Sequence, residues 1–218
     1  MTGLTGGIAS LVAISAFLSL VPALAVAVTS YTKISVVLLI VRNALGVQQT
    51  PPNIIIYTIA MILTFYIMYP VMSDVYAVLQ RQNTNIDSIA NLERIISVVS
   101  EPIRAFLLRY VNESEQQFYI DTLKQIWPER TSVAQKNDFA ILIPAFLAEE
   151  LTRAFQIGFL LYIPFLIVDI VVSAVLIALG LQMMSPTIIS IPFKLLLFVA
   201  IDGWNRLFQG LILSYVPH

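Results

Sequence analysis

The 218-residue chain contains no cysteine. Disulfide scaffolds, thiolate catalysis and Cys-ligated zinc or iron–sulfur sites are therefore excluded. Its one histidine is the last residue, His218, so neither a buried His-based triad nor a multi-His metal site can be built from this chain alone. Charge is scarce as well. Asp, Glu, Lys and Arg make up 11% of the residues and leave a net charge of −1, against about 25% charged residues in ordinary globular chains. No global basic field exists to attract nucleic acid or anionic lipid. Hydrophobic residues fill 58% of the sequence, with a mean hydropathy of +0.86. That excludes a disordered chain and argues against an ordinary water-soluble enzyme.

The charges are unevenly placed. Sixteen lie between Asp74 and Asp138, and nine are scattered over the rest. Without solenoid repeats or low-complexity linkers, the expected organisation is all-α. Hydrophobic helices in 1–73 and 139–218 flank a polar helical middle domain, 74–138. Residues 8–30 and 53–73 are uncharged, each long enough to cross a hydrocarbon core that needs ~20 residues. Ala23-Leu24-Ala25 looks like a signal-peptidase site. However, no Lys or Arg precedes Lys33, so the expectation is an uncleaved segment. Arg42-Asn43-Ala44-Leu45-Gly46, followed by Gln48-Gln49 and Pro51-Pro52-Asn53, reads as a turn. Gly46 stops one helix and the two prolines can open the next. The positive-inside rule puts the Lys33/Arg42 connection in the cytoplasm and the middle domain on the opposite side.

In the middle domain, Leu92, Ile95, Ile96, Val99, Ile103, Phe106, Leu107 and Tyr110 share one helical face. Ser100-Glu101-Pro102 suggests a new helix start, and a second pattern over 118–127 ends at Pro128. The third part reads as broken, by Pro144, Gly158, Pro164, Gly180, Ser185-Pro186 and Pro192. Its unbroken piece, 170–181, would span ~18 Å as a helix, short of a bilayer core of ~30 Å. Irregular backbone at that depth must be covered by protein or line a cavity.

Catalysis has little to work with. Glu149 and Glu150 are adjacent, about 100° apart on a helix, and cannot form a facing carboxylate pair. The glycines of 2–7 lack the strand and lysine of a phosphate loop. A serine–lysine hydrolase could draw only on Lys194 with Ser190 or Ser185. The ionisable residues embedded in apolar sequence are Glu150, Arg153, Asp169, Lys194, Asp202 and Arg206. Such groups pair or face water, because a charge at the bilayer centre costs at least ~2.5–3.5 kcal/mol. Lys194 is expected to pair with Glu150 or Asp169, whereas Asp202 and Arg206 fit snorkelling positions. Met183-Met184 sits at the least helical point of the third part, where flexible, polarizable side chains could seal around changing contents.

These motifs together resemble the SctR/FliP family of type III secretion and flagellar export-apparatus proteins. The resemblance runs through the 42–53 turn, then Ala154-Phe155-Gln156-Ile157-Gly158-Phe159 and Pro164-Phe165-Leu166-Ile167-Val168-Asp169. It continues through Pro192-Phe193-Lys194-Leu195 and Asp202-Gly203-Trp204, with Pro102, Arg104, Phe106 and Arg109 matching the middle domain. The short amino terminus looks more like the virulence injectisome branch than the flagellar one.

The resemblance implies a non-enzymatic, pore-forming subunit of an export gate in the bacterial inner membrane, with the middle domain on the periplasmic side. Several copies, expected as a pentamer, would form a ring with SctS- and SctT-like subunits. SctU- and SctV-like subunits and inner rod and needle components would be further partners, and unfolded secreted proteins would pass through the centre. No nucleic acid, cofactor or metal is implied. The family's methionine gasket corresponds to Gln182, Met183 and Met184, departing at the first position. Glu150 and Lys194 match residues that support subunit contacts, with Asp169 as an ion-pair partner. Arg42, Asn43, Gly46, Pro51 and Pro52 carry the motif turn. The alternative function is a small-molecule or ion transporter, disfavoured by the lack of an inverted repeat and by the large polar middle.

Overall fold

The computed structural model describes Ser15, Ser19 and residues 22–47, 49–81, 89–130, 135–181 and 183–216. Among these the protein is all-helical, with no strand. A helical stretch at 22–27 leads into α1 (Tyr31–Ala44), then α2 (Asn53–Arg81), α3 (Ile89–Tyr110) and α4 (Glu113–Ile126). A 3₁₀ turn at Pro128–Arg130 precedes α5 (Phe139–Ala178), α6 (Pro186–Ala200) and α7 (Gly203–Leu213). Of the uncharged stretch 8–30, only Ser15, Ser19 and 22–30 are among the described residues.

Helix α1 is the centre. Ile34, Val37, Leu38, Val41 and Ala44 are buried, too many faces for a helix with a solvated side. It lies against α5 and α2, in a core completed by Ile56 and Ala60 of α2, Ala154 and Phe165 of α5, Phe198 of α6, and Leu207 and Leu211 of α7. A second cluster joins Phe106 and Leu107 of α3 to Leu142, Ala145 and Phe146 of α5, with Met68 and Tyr215. Phe106 and Leu107 belong to the apolar stripe expected on this segment. The side chains of Leu92, Ile95 and Ile96 fall outside the described residues.

Five expected breaks, at Pro102, Pro144, Gly158, Pro164 and Pro192, do not occur. Helix α3 runs through Ser100-Glu101-Pro102 without restarting, and α5 continues for 40 residues through Pro144, Gly158 and Pro164. Helix α2 likewise passes Pro70, and α6 passes Pro192. An internal proline costs roughly 3 kcal/mol, through one lost hydrogen bond and a ring clash. Ending the helix would strand four N–H and four C=O groups in apolar surroundings, which is worse. Three of the described helix ends carry a left-handed residue. After α1, Gly46 has φ 76° and donates its N–H to the Asn43 carbonyl at 3.0 Å. After α5, Gly180 has φ 73° and donates to Ile177 at 3.0 Å, while Leu181 reaches Leu176 at 2.9 Å, the paired bonds of a Schellman motif. Helices α6 and α7 meet at a bend of 62°, where Asp202 adopts φ 55°.

Gly158 sets the α1–α5 separation. A Cβ there would lie 2.5 Å from Ile40 Cδ1 and 3.2 Å from Ile40 Cβ, and a β-branched side chain cannot swing clear of it. Gly158→Ala is expected to destabilise the protein by about 1–3 kcal/mol through overpacking. Adding Ile40→Ala should recover part of the loss, read as thermal unfolding in mild detergent.

Candidate functional site

The sequence-predicted residues fall into three places, and two buried charge clusters tie them to the fold. The first cluster lies where α1 crosses α5. Lys33 Nζ stands 3.3 Å from Glu150 Oε1, with both side chains almost completely enclosed. The other carboxylate oxygen of Glu150 accepts a hydrogen bond from the Tyr215 hydroxyl. The Lys33 ammonium also sits 3.4 Å from the centroid of the Tyr215 ring, a desolvated cation–π contact. Tyr110 Oη donates to the Tyr215 carbonyl at 2.8 Å, which brings α3 into the cluster. Burial, and then the negative charge of Glu150, hold the Tyr215 phenol well above its usual range, so it acts as a donor. Neighbouring Glu149 points elsewhere, to Arg153 Nη2 and Asn112 Nδ2, both at 2.9 Å. The two adjacent glutamates thus serve different faces of α5.

The second cluster joins the motif turn to the α5–α6 hairpin. Lys194 Nζ donates to Asp169 Oδ2 at 2.7 Å and to the Ala44 carbonyl at 3.0 Å. Of the two acids expected to pair with Lys194, the one it meets is Asp169. Its ammonium also caps the negative end of α1, where cations are favoured. Ser190 Oγ donates to Asp169 Oδ1 at 2.6 Å, so both carboxylate oxygens are engaged. The serine hydroxyl therefore addresses the carboxylate, not the amine that a serine–lysine dyad would require. Gly46 lies beside this cluster: a Cβ there would meet Ile191 Cγ1 at 3.2 Å and Lys194 Nζ at 3.9 Å. Across the same turn, Arg42 Nη1 donates to the Pro51 carbonyl at 3.4 Å and to Asn53 Oδ1, stapling the end of α1 to the start of α2. Asn43 is exposed, and the Pro52 carbonyl accepts the first turn of α2 from Ile55 at 3.0 Å.

The third place is the turn between α5 and α6. Met183 is fully exposed at 101% and Met184 about half exposed at 48%, so neither fills a core. Gln182 lies outside the described residues. Asp202 and Arg206 are exposed on the α6–α7 bend and the start of α7.

Sequence reasoning missed Lys33 and Tyr215. Lys33 served as a topology marker, although its spacing with Val37 and Val41 puts it on the buried face of α1, a legible signal. Tyr215 carries no local signal; only the fold brings it to residues 33, 110 and 150.

Helices α2 and α5 are long and apolar enough to cross a membrane, as is the bent α6–α7 pair if it counts as one span. Broad apolar faces stay uncovered on them, including Tyr66 and Tyr69 on α2, Phe159 and Leu160 on α5, and Leu196 and Val199 on α6. This is a helical, membrane-associated chain whose few buried charges hold its helices together. The chain belongs to the FliP family, whose model matches residues 14–211. It is 44% identical over 216 residues to the probable translocation protein y4yL of Sinorhizobium fredii, covering 99% of this chain and 97% of that protein. Over 207 residues it is 44% identical to the Yop proteins translocation protein R of Yersinia pestis, covering 94% and 95% respectively. The surface presentation of antigens protein SpaP of Salmonella typhi is 40% identical over 215 residues, 95% of this chain and 96% of that one.

Removing one member of a buried ion pair leaves the other charge uncompensated. Lys33→Met is expected to cost about 3–5 kcal/mol of stability. Tyr215→Phe, which keeps the ring but loses the bond to a charged acceptor, should cost about 1.5–3 kcal/mol. Chemical unfolding in detergent measures both.

Proposed function

We propose that this chain is a pore-forming core subunit of a type III secretion export gate, passing unfolded proteins across the bacterial inner membrane. The observation that carries the reading is a methionine turn projecting clear of its own chain's packing, in a member of the FliP family. In this reading, residues 1–73 supply the N-terminal hydrophobic helices, 74–138 form a middle domain on the periplasmic side, and 139–218 line the passage. Several copies, expected as a pentamer, form a ring with SctS- and SctT-like subunits. SctU- and SctV-like subunits, inner rod and needle components and the unfolded cargo are the further partners.

The uncovered apolar faces of α5 and α6 supply the area that neighbouring subunits cover. Glu150, Asp169 and Lys194 act as assembly residues: the pairs Lys33–Glu150 and Asp169–Lys194 fix the protomer shape on which those contacts depend. Arg42, Asn43, Gly46, Pro51 and Pro52 form the turn that Lys194 holds. Met183 and Met184 close the passage, since unbranched thioether side chains adapt to whatever they surround. The role is structural, with no catalytic step.

Native mass spectrometry of the chain, purified in mild detergent alone and co-expressed with SctS- and SctT-like subunits, tests the assembly. A discrete oligomer that incorporates those subunits is expected. A monomer or dimer that ignores them would sink the gate reading and favour a small-molecule or ion transporter. In the assembled complex, replacing Met183 and Met184 by Ala should leave the oligomer intact and raise its basal ion conductance in planar bilayers.

A further inference from the structure

Nothing in the methionine turn's own packing explains how it is held. Met183 makes no core contact and Met184 is about half exposed, so the turn's position is set by the two helices that enter and leave it. At the end of α5, the bonds from Gly180 to Ile177 and from Leu181 to Leu176 fix the exit of the chain. Within the turn itself, Met184 N–H donates to the Leu181 carbonyl at 3.1 Å. Asp169, on α5 before that exit, meets Ser190 and Lys194, on successive turns of α6 after it. The hairpin is thus pinned laterally by one carboxylate that accepts from both.

The two donors differ. Lys194 also caps α1 through the Ala44 carbonyl, so it ties the hairpin to the rest of the molecule. Ser190 is the nearer to the turn, and its side chain is fully buried. Its hydroxyl has one hydrogen to give. The 2.6 Å contact with Asp169 takes that hydrogen, and the Thr187 carbonyl at 3.0 Å on its own helix is what it would fall back on. A hydrogen bond to an ionised carboxylate is about twice as strong as a neutral one. We propose that Ser190 is a positioning residue for the methionine turn, fixing α6 against Asp169 so that Met183 and Met184 are presented at a set height and spacing. This rests on the gasket reading of those methionines.

Ser190→Ala removes the bond while leaving the Asp169–Lys194 pair in place. In the assembled complex, hydrogen exchange should quicken at the amides of residues 181, 183–185 and 187 and stay unchanged in α1 and in the part of α5 before Asp169. Basal conductance should rise about tenfold, the factor that a lost charge-assisted hydrogen bond allows. Ser190→Thr, which keeps the hydroxyl, should restore slow exchange and low conductance. Combined with Ala at 183 and 184, Ser190→Ala should add nothing to the leak those two replacements cause.

If Ser190→Ala fails to assemble, Ser190→Cys, with similar volume and a weaker donor, is read in the same way. Unchanged exchange at those amides overturns the proposal, as does exchange that quickens throughout the chain. If Ser190→Ala stays tight while the double methionine replacement leaks, Ser190 has no part in sealing and the gasket reading stands. If the methionine replacements do not leak, the gasket reading itself falls.

Discussion

An ammonium and a carboxylate enclosed almost wholly in apolar side chains, Lys33 and Glu150, impose the constraint on which the arrangement of α1 depends. Neither charge can remain there without the other, and the pair alone would not offset its loss of hydration. Tyr215 completes the offset, giving its hydroxyl to the second carboxylate oxygen and its ring face to the ammonium. Helices α1, α3 and α5 and the turn after α7 are therefore brought to one point. The geometry then propagates along the crossing, since Gly158 must admit Ile40 for the pair to close. At its far end, α1 meets the second charge, Lys194, at its terminal carbonyls. The central helix is thus held by charge at both ends and by close contact between them.

Such pairs contribute less to stability than to uniqueness, because well-packed apolar replacements of buried ion pairs are often equally stable. In a chain that is 58% hydrophobic, apolar matching alone leaves many registers nearly equivalent. One misregister of α1 against α5 by a single residue would turn Lys33 away from Glu150. We regard the two clusters as the elements that select one packing among these, a role attested for buried polar groups in helical assemblies.

Much of the outline was legible, for identifiable reasons. The turn after α1 and the end of α4 before Pro128 were readable because glycine at positive φ and proline act locally, on the backbone itself. The non-helical stretch around Met183 was readable for the same reason. Helix continuity at Pro102, Pro144 and Pro164 was not. A proline's cost is local and visible, but the cost of the alternative, an unsatisfied helix end in apolar surroundings, depends on neighbours far away in sequence. The Lys194 pairing narrowed to two acids because few charges exist to choose among. The burial of Lys33 could be read from its spacing with Val37 and Val41, but the choice of Asp169, the partner of Lys33, and the entry of Ser190 and Tyr215 depended on helix crossings that no spacing encodes.

The length of α5 sets a requirement on whatever surrounds it. Forty residues make a helix about 60 Å long, roughly twice the hydrocarbon thickness of a bilayer. To sit wholly within that layer it would have to lean about 60° from the normal, far beyond the average tilt of about 20°. Close to upright, half of it stands outside lipid. The exposed large apolar side chains run from Phe155 to Ile177, while Ile141, Leu142, Ala145 and Phe146 near the start of the helix are buried against the chain's own helices. The stretch left uncovered is about as long as a bilayer core is thick, so this one helix marks off a part that its own chain covers from a part that lipid or neighbouring polypeptide has to cover.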